Sequence, residues 1–467
     1  MGYNLDETVT LKEDSMTKLI EQALKTATQT RGIEFGQGVL DKTGSLFTRL
    51  FPGKKALVIA DENTFKACGE PVLASLQAAG VELADQPKIF PGSPTLYADY
   101  DTTSVVREYA RPFDAIICSI GSGTLNDHAK LASHELGREY LNVCTAASVD
   151  GFAAFGASIS RDGFKITRDC AAPAGLVMDI DVLCQAPLRL TATGYGDLIE
   201  KVPAGADWIL ADELGIEPID EYVWSLVQGP LLDSLADPEG CRAGKAEAIA
   251  KLGEGQIMSG LAMQAHNSSR PASGAGHQFS HTWEMEGHGL DWEPPLTHGF
   301  KVGIGTIASC ALWQEFLRLD VNDFDVERAE AAVKTPEYLE ARVRGCFDPI
   351  IAEQAVKHVL NKRVEGAQLR ARIDLLKEKW PTIKERCSSQ LLDPQDVWNR
   401  LKAVGAPYHP EMIKIDWDRF RTTYFKAQMI RSRYTILDIL TDLGILDQMV
   451  YRLFGPKGFW GQHRHAE

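Results

Sequence analysis

No run of 18 apolar residues occurs in the sequence, and its first residues do not place a cationic segment before an apolar one. We therefore expect neither a membrane span nor a secretory leader. The sequence also lacks an excess of positive charge, because it has 49 Lys and Arg and 64 Asp and Glu, which give a net charge of −15. This acidity disfavours nucleic-acid and membrane-surface binding, although a local basic pocket can still hold one phosphate group.

Paired cysteines are missing as well, because the nine Cys are odd in number, widely scattered and never spaced as CxxC. This usage predicts reduced thiols in a cytoplasmic protein. What is present is an ordinary globular composition, with 44% hydrophobic and 24% charged residues among 467. That length is enough for two or three domains with large cores.

The first 186 residues alternate short apolar runs with segments of helical length. Apolar runs occupy 54–60, 113–120 and 140–144 after an opening strand near 31–35, and segments such as 64–79 and 126–136 separate them. This alternation predicts a Rossmann-like α/β domain with a doubly wound parallel sheet. Ligands of such sheets bind at the carboxyl ends of the strands, where Asp61, Gly121 and Thr145 fall.

The pattern changes near Pro187. Before it, residues 151–179 suggest further β structure, with a hairpin at the Asp-Gly pair at 162–163. Beyond it, helical patterns fill 245–263, 301–319, 352–362, 367–379 and 419–443. We therefore expect an α/β domain over 1–186 and an all-helical domain over 187–467.

A turn of small residues follows the apolar run that ends at 120. It contains Gly121, Ser122, Gly123 and Thr124, with Asp127 one turn further on. Small residues let the backbone approach a diphosphate, and the amides of a helix N-terminus stabilise its charge. The turn is neither GxGxxG nor a Walker A sequence, so an ordinary tight turn between strand and helix is the alternative.

Hydroxyl and carboxyl side chains follow the next apolar run. Thr145 and Ser148 could bond a nicotinamide or a phosphate, and Asp150 could hold a polyol hydroxyl. The alternative is a helix cap and a turn, which Ser and Asp also favour.

Residues of the kind that bind metals are concentrated between 194 and 299. Asp197 is placed by its pattern at a helix start, His277 and His281 are four residues apart on one helix face, and His298 follows a loop. One carboxylate and two imidazoles suit a divalent ion such as zinc or nickel. The sequence is not HExxH, and nearby side chains remain alternative ligands: Glu284, Glu286 and His288.

Arg270 lies among serines just before His277. Arginine with clustered hydroxyls can hold a phosphate or a carboxylate, and the alternative is a turn with the arginine in solvent.

The ordered motifs resemble the glycerol-1-phosphate dehydrogenases, within the superfamily of iron-containing alcohol dehydrogenases, glycerol dehydrogenase and dehydroquinate synthase. The matching strings are ADENTF, IFPGSPTL, GSGTLND, TAASVDGFAA, GLVMDIDVLCQAP, GYGDLIEK, SSRPASGAGHQFSH and HGFKVGIGT. They span about residues 31–315. The resemblance implies a dinucleotide-binding domain followed by a helical metal- and substrate-binding domain, with the active site in the cleft between them.

The resemblance also implies the roles of the site residues. Asp197, His277 and His298 would hold a divalent metal, zinc or nickel rather than iron, with Asp197 and His281 as the catalytic residues. Asp150, His281 and Arg270 would contact a small phosphorylated triose. The dinucleotide would be bound by Asp61, Gly121, Ser122, Gly123, Thr124, Asp127, Thr145 and Ser148. The cofactor is NAD, with NADP left open, because Asp61 near the adenosine ribose would disfavour a 2′-phosphate.

Two positions depart from relatives in the superfamily. The iron-type enzymes have an imidazole four residues after the first carboxylate ligand, where this chain has Lys201. The residue before the first histidine ligand, commonly Glu in the glycerol-phosphate group, is Gly276. The first departure favours a metal site with three protein ligands, and the second leaves the partners of His277 open.

The implied reaction interconverts dihydroxyacetone phosphate and sn-glycerol 1-phosphate, a step of phospholipid metabolism, in a homo-oligomer without nucleic-acid or membrane partners. The alternatives are a dehydrogenase of another polyol or sugar, a lyase resembling dehydroquinate synthase, and a catalytically inactive binding protein. The lyase would use Glu where this chain has Asp197.

Overall fold

The computed structural model describes residues 18–161 and 164–464. A first helix, α1, occupies residues 18–24. The strands, all before residue 180, are β1 (Gly32–Gly36), β2 (Lys55–Asp61), β3 (Lys88–Phe90), β4 (Ala115–Ile120), β5 (Tyr140–Cys144), β6 (Ala157–Arg161), β7 (Phe164–Arg168) and β8 (Gly175–Asp179). The helices among and just after them are α2 (Thr43–Leu50), α3 (Glu62–Ala78), α4 (Tyr100–Ala110), α5 (Gly123–Glu135) and α6 (Ile180–Cys184).

Helices make up the regular structure of the remaining described residues. They are α7 (Leu188–Leu198), α8 (Lys201–Glu213), α9 (Glu221–Ser234), α10 (Pro238–Arg242), α11 (Ala246–His266), α12 (Ala275–Met285), α13 (His298–Leu317), α14 (Val326–Ala332), α15 (Pro336–Cys346), α16 (Pro349–Lys362), α17 (Gly366–Gln390), α18 (Pro394–Val404), α19 (Trp417–Met429), α20 (Ile436–Asp442), α21 (Leu446–Phe454) and α22 (Phe459–His463). No described helix is both long and apolar enough to cross a bilayer.

The main sheet is parallel throughout, with the strand order β1-β8-β5-β4-β2-β3. Alternate residues of β2 enter different cores: Val58 packs with α2 and α3, whereas Leu57 packs with α4 and α5. Helices therefore cover both faces, which confirms the predicted doubly wound sheet. The chain adds β3 on one side of β2 and then crosses to β4 on the other. A topological switch point thus lies between the carboxyl ends of β2 and β4.

The predicted second β region divides into two parts. Strands β6 and β7 form the expected antiparallel hairpin, whose Asp-Gly turn lies outside the described residues. Strand β8, by contrast, joins the main sheet between β1 and β5. All five residues of β8 are buried, as in a parallel strand covered on both faces, so this part of the predicted β structure belongs to the main sheet.

The helical prediction beyond Pro187 is confirmed, with two changes of boundary. Helix α17 extends to Gln390, well beyond the predicted 379. The segment predicted as one helix over 419–443 is instead broken between α19 and α20. The break follows from a capping box, in which the Asp438 carboxylate accepts the backbone N–H of Thr435 and stops α20 from continuing backwards.

Helix α1 packs against the helical part of the chain. Ile20 and Ala23 lie in the large buried cluster formed mainly by α7–α22, and the Gln264 side chain of α11 accepts the backbone N–H of Thr30. The domain boundary near residue 186 stays a prediction, and α1 contributes to the core on its far side.

Candidate active site

The predicted metal ligands converge from the ends of α7, α12 and α13. Asp197 lies in the last turn of α7, not at the helix start that the sequence pattern suggested. His277 lies in the first turn of α12, and His298 is the first residue of α13. One ligand atom from each residue lies within 4.8 Å of the other two.

The donor set fits a divalent metal ion. The Asp197 Oδ1 atom is buried without a hydrogen-bond partner, although His277 Nε2 lies 3.3 Å away and His298 Nε2 lies 3.8 Å away. A buried carboxylate oxygen without a hydrogen bond is costly, and a cation between these three atoms would remove that cost. The distances between the donors leave room for such an ion.

Two buried glutamates orient the imidazoles from behind. Glu200 Oε2 lies 2.6 Å from His277 Nδ1, and its Oε1 accepts the backbone N–H of Gly274 at 3.1 Å. Glu284 Oε1 lies 2.8 Å from His298 Nδ1. A carboxylate at Nδ1 leaves Nε2 as the metal-binding nitrogen, which is the usual arrangement behind histidine ligands.

Gly276 explains how Glu200 reaches His277. A Cβ atom at position 276 would lie 2.8 Å from the Glu200 Cγ. A side chain at position 276 would therefore press on Glu200, so the glycine leaves room for Glu200, between α7 and α8, to reach His277. Sequence reasoning missed Glu200, although its position three residues after Asp197 would have placed it near that ligand.

Lys201 bridges the buried carboxylates. Its Nζ lies 2.7 Å from Asp150 Oδ2 and donates to the Asp197 backbone oxygen at 2.9 Å. Asp150 in turn donates its backbone N–H to Asp197 Oδ2 at 3.0 Å and accepts the Ser259 hydroxyl at 2.8 Å. The structure thus brings Asp150 next to the metal ligands, as expected of a residue near the substrate.

Charge and burial set the ionisation of this cluster. Burial alone would raise the pKa of Asp197, but Lys201 and the two imidazoles lower it well below its ordinary value. Burial disfavours protonation of His277, yet Glu200 and Asp197 outweigh it and raise its pKa to about 9. Burial lowers the pKa of His281 to about 3, with Arg431 and His298 acting in the same direction.

His281 stands beside the two imidazole ligands without joining them. Its ring centroid lies 5.8 Å from that of His277 and 5.7 Å from that of His298. Its Nδ1 lies 3.2 Å from Glu284 Oε2, and about one fifth of the side chain is exposed. This position, on the predicted face of α12, suits a group that meets the substrate.

A groove of about 780 Å³ opens at the topological switch point. We call it the switch-point groove, and it is lined by predicted cofactor residues from the ends of three strands: Asp61, Ser122, Thr124 and Thr145. An adjoining cavity of about 200 Å³ shares Ser122 and Thr124 with it and adds Gly123, Asp127, Ser148, Glu284, His298 and Lys301. The cavity therefore connects the groove to His298, one of the three candidate metal ligands.

The walls of the groove also serve the local structure. The Asp61 carboxylate caps α3 by accepting the Thr64 backbone N–H at 2.8 Å. The Ser122 hydroxyl does not cap α5, whose first-turn amides point to the carboxyl edge of the sheet. A Cβ at Gly121 would lie 2.5 Å from Leu125, so Gly121 lets the turn close rather than lining the groove.

Arg270 does not contribute to the cleft. It is 1% exposed, donates to the backbone oxygens of Asp207 and Tyr434, and lies 3.2 Å from Glu217. These contacts occupy the guanidinium inside the helical core, so the predicted contact with a substrate phosphate is wrong.

The alternative metal ligands do not join the ligand atoms of Asp197, His277 and His298, which we call the ligand trio. Glu286 pairs with Arg419 and Lys426, and His288 Nε2 lies 2.6 Å from the Ile413 oxygen. Glu284 approaches the site through the Nδ1 side of the imidazoles. Among the described residues, the geometry assembles only Asp197, His277 and His298 as a metal-binding group.

Comparisons with known proteins identify the fold and the family. A family model described as iron-containing alcohol dehydrogenase matches residues 34–187. The solved structure of a probable glycerol dehydrogenase from Sinorhizobium meliloti 1021 superposes with a TM-score of 0.56 at 17% identity, over 90% of this chain and 97% of that one. Glycerol dehydrogenase from Schizosaccharomyces pombe gives the same TM-score at 14% identity, over 94% of this chain and 93% of that one. These likenesses define the class, which is the fold of the iron-containing alcohol dehydrogenases.

Curated relatives narrow the class to one family. A protein of Halalkalibacterium halodurans named glycerol-1-phosphate dehydrogenase, NAD(P)+, is 33% identical over 339 residues, which cover 71% of this chain and 84% of the relative. A protein of the same name from Bacillus licheniformis is 27% identical over 440 residues, covering 91% and 92% of the two chains. The chain belongs to the glycerol-1-phosphate dehydrogenase family.

Proposed function

We propose that this protein reversibly reduces dihydroxyacetone phosphate to sn-glycerol 1-phosphate with NAD(P)H. The observation that carries the proposal is the convergence of Asp197, His277 and His298. His298 also lines the cavity that adjoins the switch-point groove. In this reaction the ketone carbonyl carbon gains a hydride, its oxygen gains a proton, and the reduced nicotinamide becomes NAD(P)+.

The switch-point groove is the proposed dinucleotide site, between an α/β domain over 1–186 and a helical domain over 187–467. The first-turn amides of α5 would bind the pyrophosphate, since they point to the groove and carry the positive end of the helix dipole. Thr145 and Ser148 would lie along the nicotinamide half. Asp61 would accept the adenosine ribose hydroxyls, and its charge favours NAD over NADP.

Asp197, His277 and His298 are the proposed holders of zinc or nickel. When bound, the metal supplies a Lewis acid that polarises the substrate carbonyl oxygen. Glu200 and Glu284 keep the two imidazoles turned with Nε2 towards it. Lys201 offsets the charge of the two aspartates, so Asp197 stays ionised when the metal dissociates.

His281 and Asp150 are the proposed substrate contacts. His281 stands next to both imidazole ligands and would hold or pass the proton of the substrate oxygen, directly or through water. Asp150 uses Oδ2 for Lys201 and Ser259, which leaves Oδ1 to orient a substrate hydroxyl.

Arg431 replaces Arg270 as the proposed partner of the substrate phosphate. It follows α19, is half-buried, and its positive charge lowers the pKa of His281. A guanidinium whose charge reaches the proposed proton-relay histidine is suited to a phosphate one or two carbons from the reacting carbonyl.

A spectrophotometric assay of NADH oxidation tests the function. We expect consumption with dihydroxyacetone phosphate and at least about a hundredfold lower kcat/KM with free dihydroxyacetone. The product should resist oxidation by an enzyme specific for sn-glycerol 3-phosphate. Comparable rates with both ketones would favour a dehydrogenase of unphosphorylated polyols, and a metal-bound protein that turns over neither would favour the lyase alternative.

Replacement of His277 by Ala supplies the matched test of the metal site. We expect the variant to lose bound metal and turnover together, while the His288→Ala variant, changed outside the ligand trio, keeps both. A His277→Ala protein without metal but with full activity would refute the proposed site.

A cytoplasmic homo-oligomer remains the expected form of the enzyme.

A further inference from the structure

One glutamate connects the metal site to the substrate-facing histidine. Glu284, 1% exposed in the last turn of α12, places Oε1 2.8 Å from His298 Nδ1 and Oε2 3.2 Å from His281 Nδ1. His298 belongs to the ligand trio, whereas His281 does not. A single carboxylate therefore faces two imidazoles that have different tasks.

We propose that Glu284 is a shared positioning residue that fixes the tautomer and orientation of both His298 and His281. This inference rests on the proposed function. An ionised carboxylate only accepts hydrogen bonds, so each imidazole that faces it must carry its proton on Nδ1. Each ring then presents the Nε2 lone pair, His298 to the metal and His281 to the substrate side of the cleft.

Lys301 supports this arrangement. Its Nζ lies 3.3 Å from Glu284 Oε1, and both side chains are buried. The ammonium group places a positive charge against this oxygen, which offsets the cost of burying the carboxylate. Lys301 lies one turn after His298 on α13, so the same helix supplies the ligand and the counter-charge of its positioning residue.

Glu200 provides the contrast within the same site. Among the described residues, His277 is the one imidazole that it contacts, through Nδ1, and its other oxygen accepts backbone N–H groups of Gly274 and His277. Glu200 therefore serves one metal ligand, whereas Glu284 serves a ligand and the proposed proton relay. Excess metal should therefore restore kcat more fully when Glu200 is replaced than when Glu284 is replaced.

The Glu284→Gln variant tests the shared role, with Glu200→Gln as its matched control. A glutamine has one acceptor and one donor end, so it cannot accept Nδ1–H from both rings. In Glu284→Gln we expect Zn²⁺ affinity, measured by competition with a chromogenic chelator, to fall about 10–100-fold. We also expect kcat at saturating Zn²⁺ to stay at least about tenfold below wild type. Glu200→Gln should lose affinity similarly, but its kcat at saturating Zn²⁺ should lie well above that of Glu284→Gln, because Glu200 does not contact His281.

A double variant shows whether Glu284 acts on turnover through His281. His281→Ala and His281→Ala/Glu284→Gln should have the same kcat at saturating Zn²⁺, because the second change has no relay left to misalign. Two results would overturn the proposal. One is that excess Zn²⁺ restores the kcat of Glu284→Gln to the wild-type value. The other is that the double variant is slower than His281→Ala by the same factor that separates Glu284→Gln from wild type.

A measurement on the intact zinc protein does not depend on the variants folding. Long-range ¹H–¹⁵N spectra of histidine-labelled protein should place the proton of both His281 and His298 on Nδ1, with assignments from the single variants. A proton on Nε2 of His281 would overturn the shared role. If wild type fails to reduce dihydroxyacetone phosphate, the proposed function fails, while the tautomer and Zn²⁺ measurements still decide the role of Glu284.

Discussion

Glu254 of α11 is buried, and its Oε1 has no hydrogen-bond partner among the described residues. Burial raises the pKa of its carboxyl to about 7, with the charge of Asp233 as the next cause. Between pH 4.5 and about 7 the unfolded chain releases this proton while the folded chain keeps it. The free energy of unfolding should therefore fall as pH rises through that window.

The Glu254→Gln variant should remove this loss, because an amide imitates the protonated acid at every pH. We expect its Tm to exceed that of wild type at pH 8, by an amount that shrinks towards pH 4.5, when followed by calorimetry. Glu247→Gln, on the exposed side of the same helix, should change little at either pH. A Glu254→Gln protein less stable than wild type at pH 8 would contradict the prediction.

Replacing Lys201 should show how much the buried ammonium group contributes to stability. Its side chain is fully buried between Asp150 and Asp197, so Lys201→Met keeps the length but leaves two buried carboxylates without their cation. We expect the metal-free protein to lose about 3–5 kcal/mol of stability in urea unfolding. Added Zn²⁺ should recover part of the loss. Lys251→Met, at a partly exposed ion pair with Asp233, should cost less than about 1 kcal/mol.

At the scale of elements, close packing of α7, α12 and α13 brings the ligands together. Glycines make this approach possible: a Cβ at Gly305 of α13 would lie 2.2 Å from the backbone oxygen of Gly276 on α12. At Gly299, next to His298, it would lie 1.9 Å from the Thr193 oxygen of α7. Any larger residue must push a ligand-bearing helix away.

The Gly305→Ala variant should therefore separate α12 from α13. We expect a loss of about 1–3 kcal/mol in stability from overpacking and a drop in Zn²⁺ affinity of at least about tenfold. Gly229→Ala in α9, where an added Cβ meets nothing within 4 Å apart from its chain neighbours, should leave Zn²⁺ binding unchanged. Equal Zn²⁺ affinities in both variants would show that the packing does not position the ligands.

Elements whose pattern is local were predicted closely. The apolar runs at 113–120 and 140–144 became β4 and β5, because such runs form buried parallel strands whatever surrounds them. The sheet that β8 joins was not predicted, and 419–443 was taken as one helix. Those outcomes depend on which strands pair and on a side-chain cap, and neither follows from hydrophobic periodicity.

At the scale of the whole molecule, the metal site ties α7, α12 and α13 to the segment that follows β5 through the Asp150–Asp197 hydrogen bond. Ligand binding to the folded state alone raises stability, by about 2.7 kcal/mol at a hundred times Kd. Chelator treatment should accordingly lower the Tm of the wild type by several degrees, and Zn²⁺ should restore it. The His277→Ala protein should melt at one temperature in chelator and in Zn²⁺, and a Zn²⁺-dependent Tm in this variant would point to other ligands.

The net charge of −15 is likewise a property of the whole molecule. The proposed dinucleotide and triose phosphate are anions, so the overall field opposes their approach while the α5 amides and Arg431 attract them locally. The acidity of the chain therefore describes its outer surface and does not exclude an anionic substrate.

The sequence by itself determined the class of fold, the candidate metal ligands and the edge of the sheet where the groove opens. These depend on short-range patterns: apolar runs, small-residue turns and two histidines one helical turn apart. Only the tertiary structure decided that Asp197 meets residues 80 and 101 positions further along, that Glu200 and Glu284 stand behind the imidazoles, and that Arg270 is buried. The reason is that helix crossings set these contacts, and a crossing depends on side chains from distant parts of the chain.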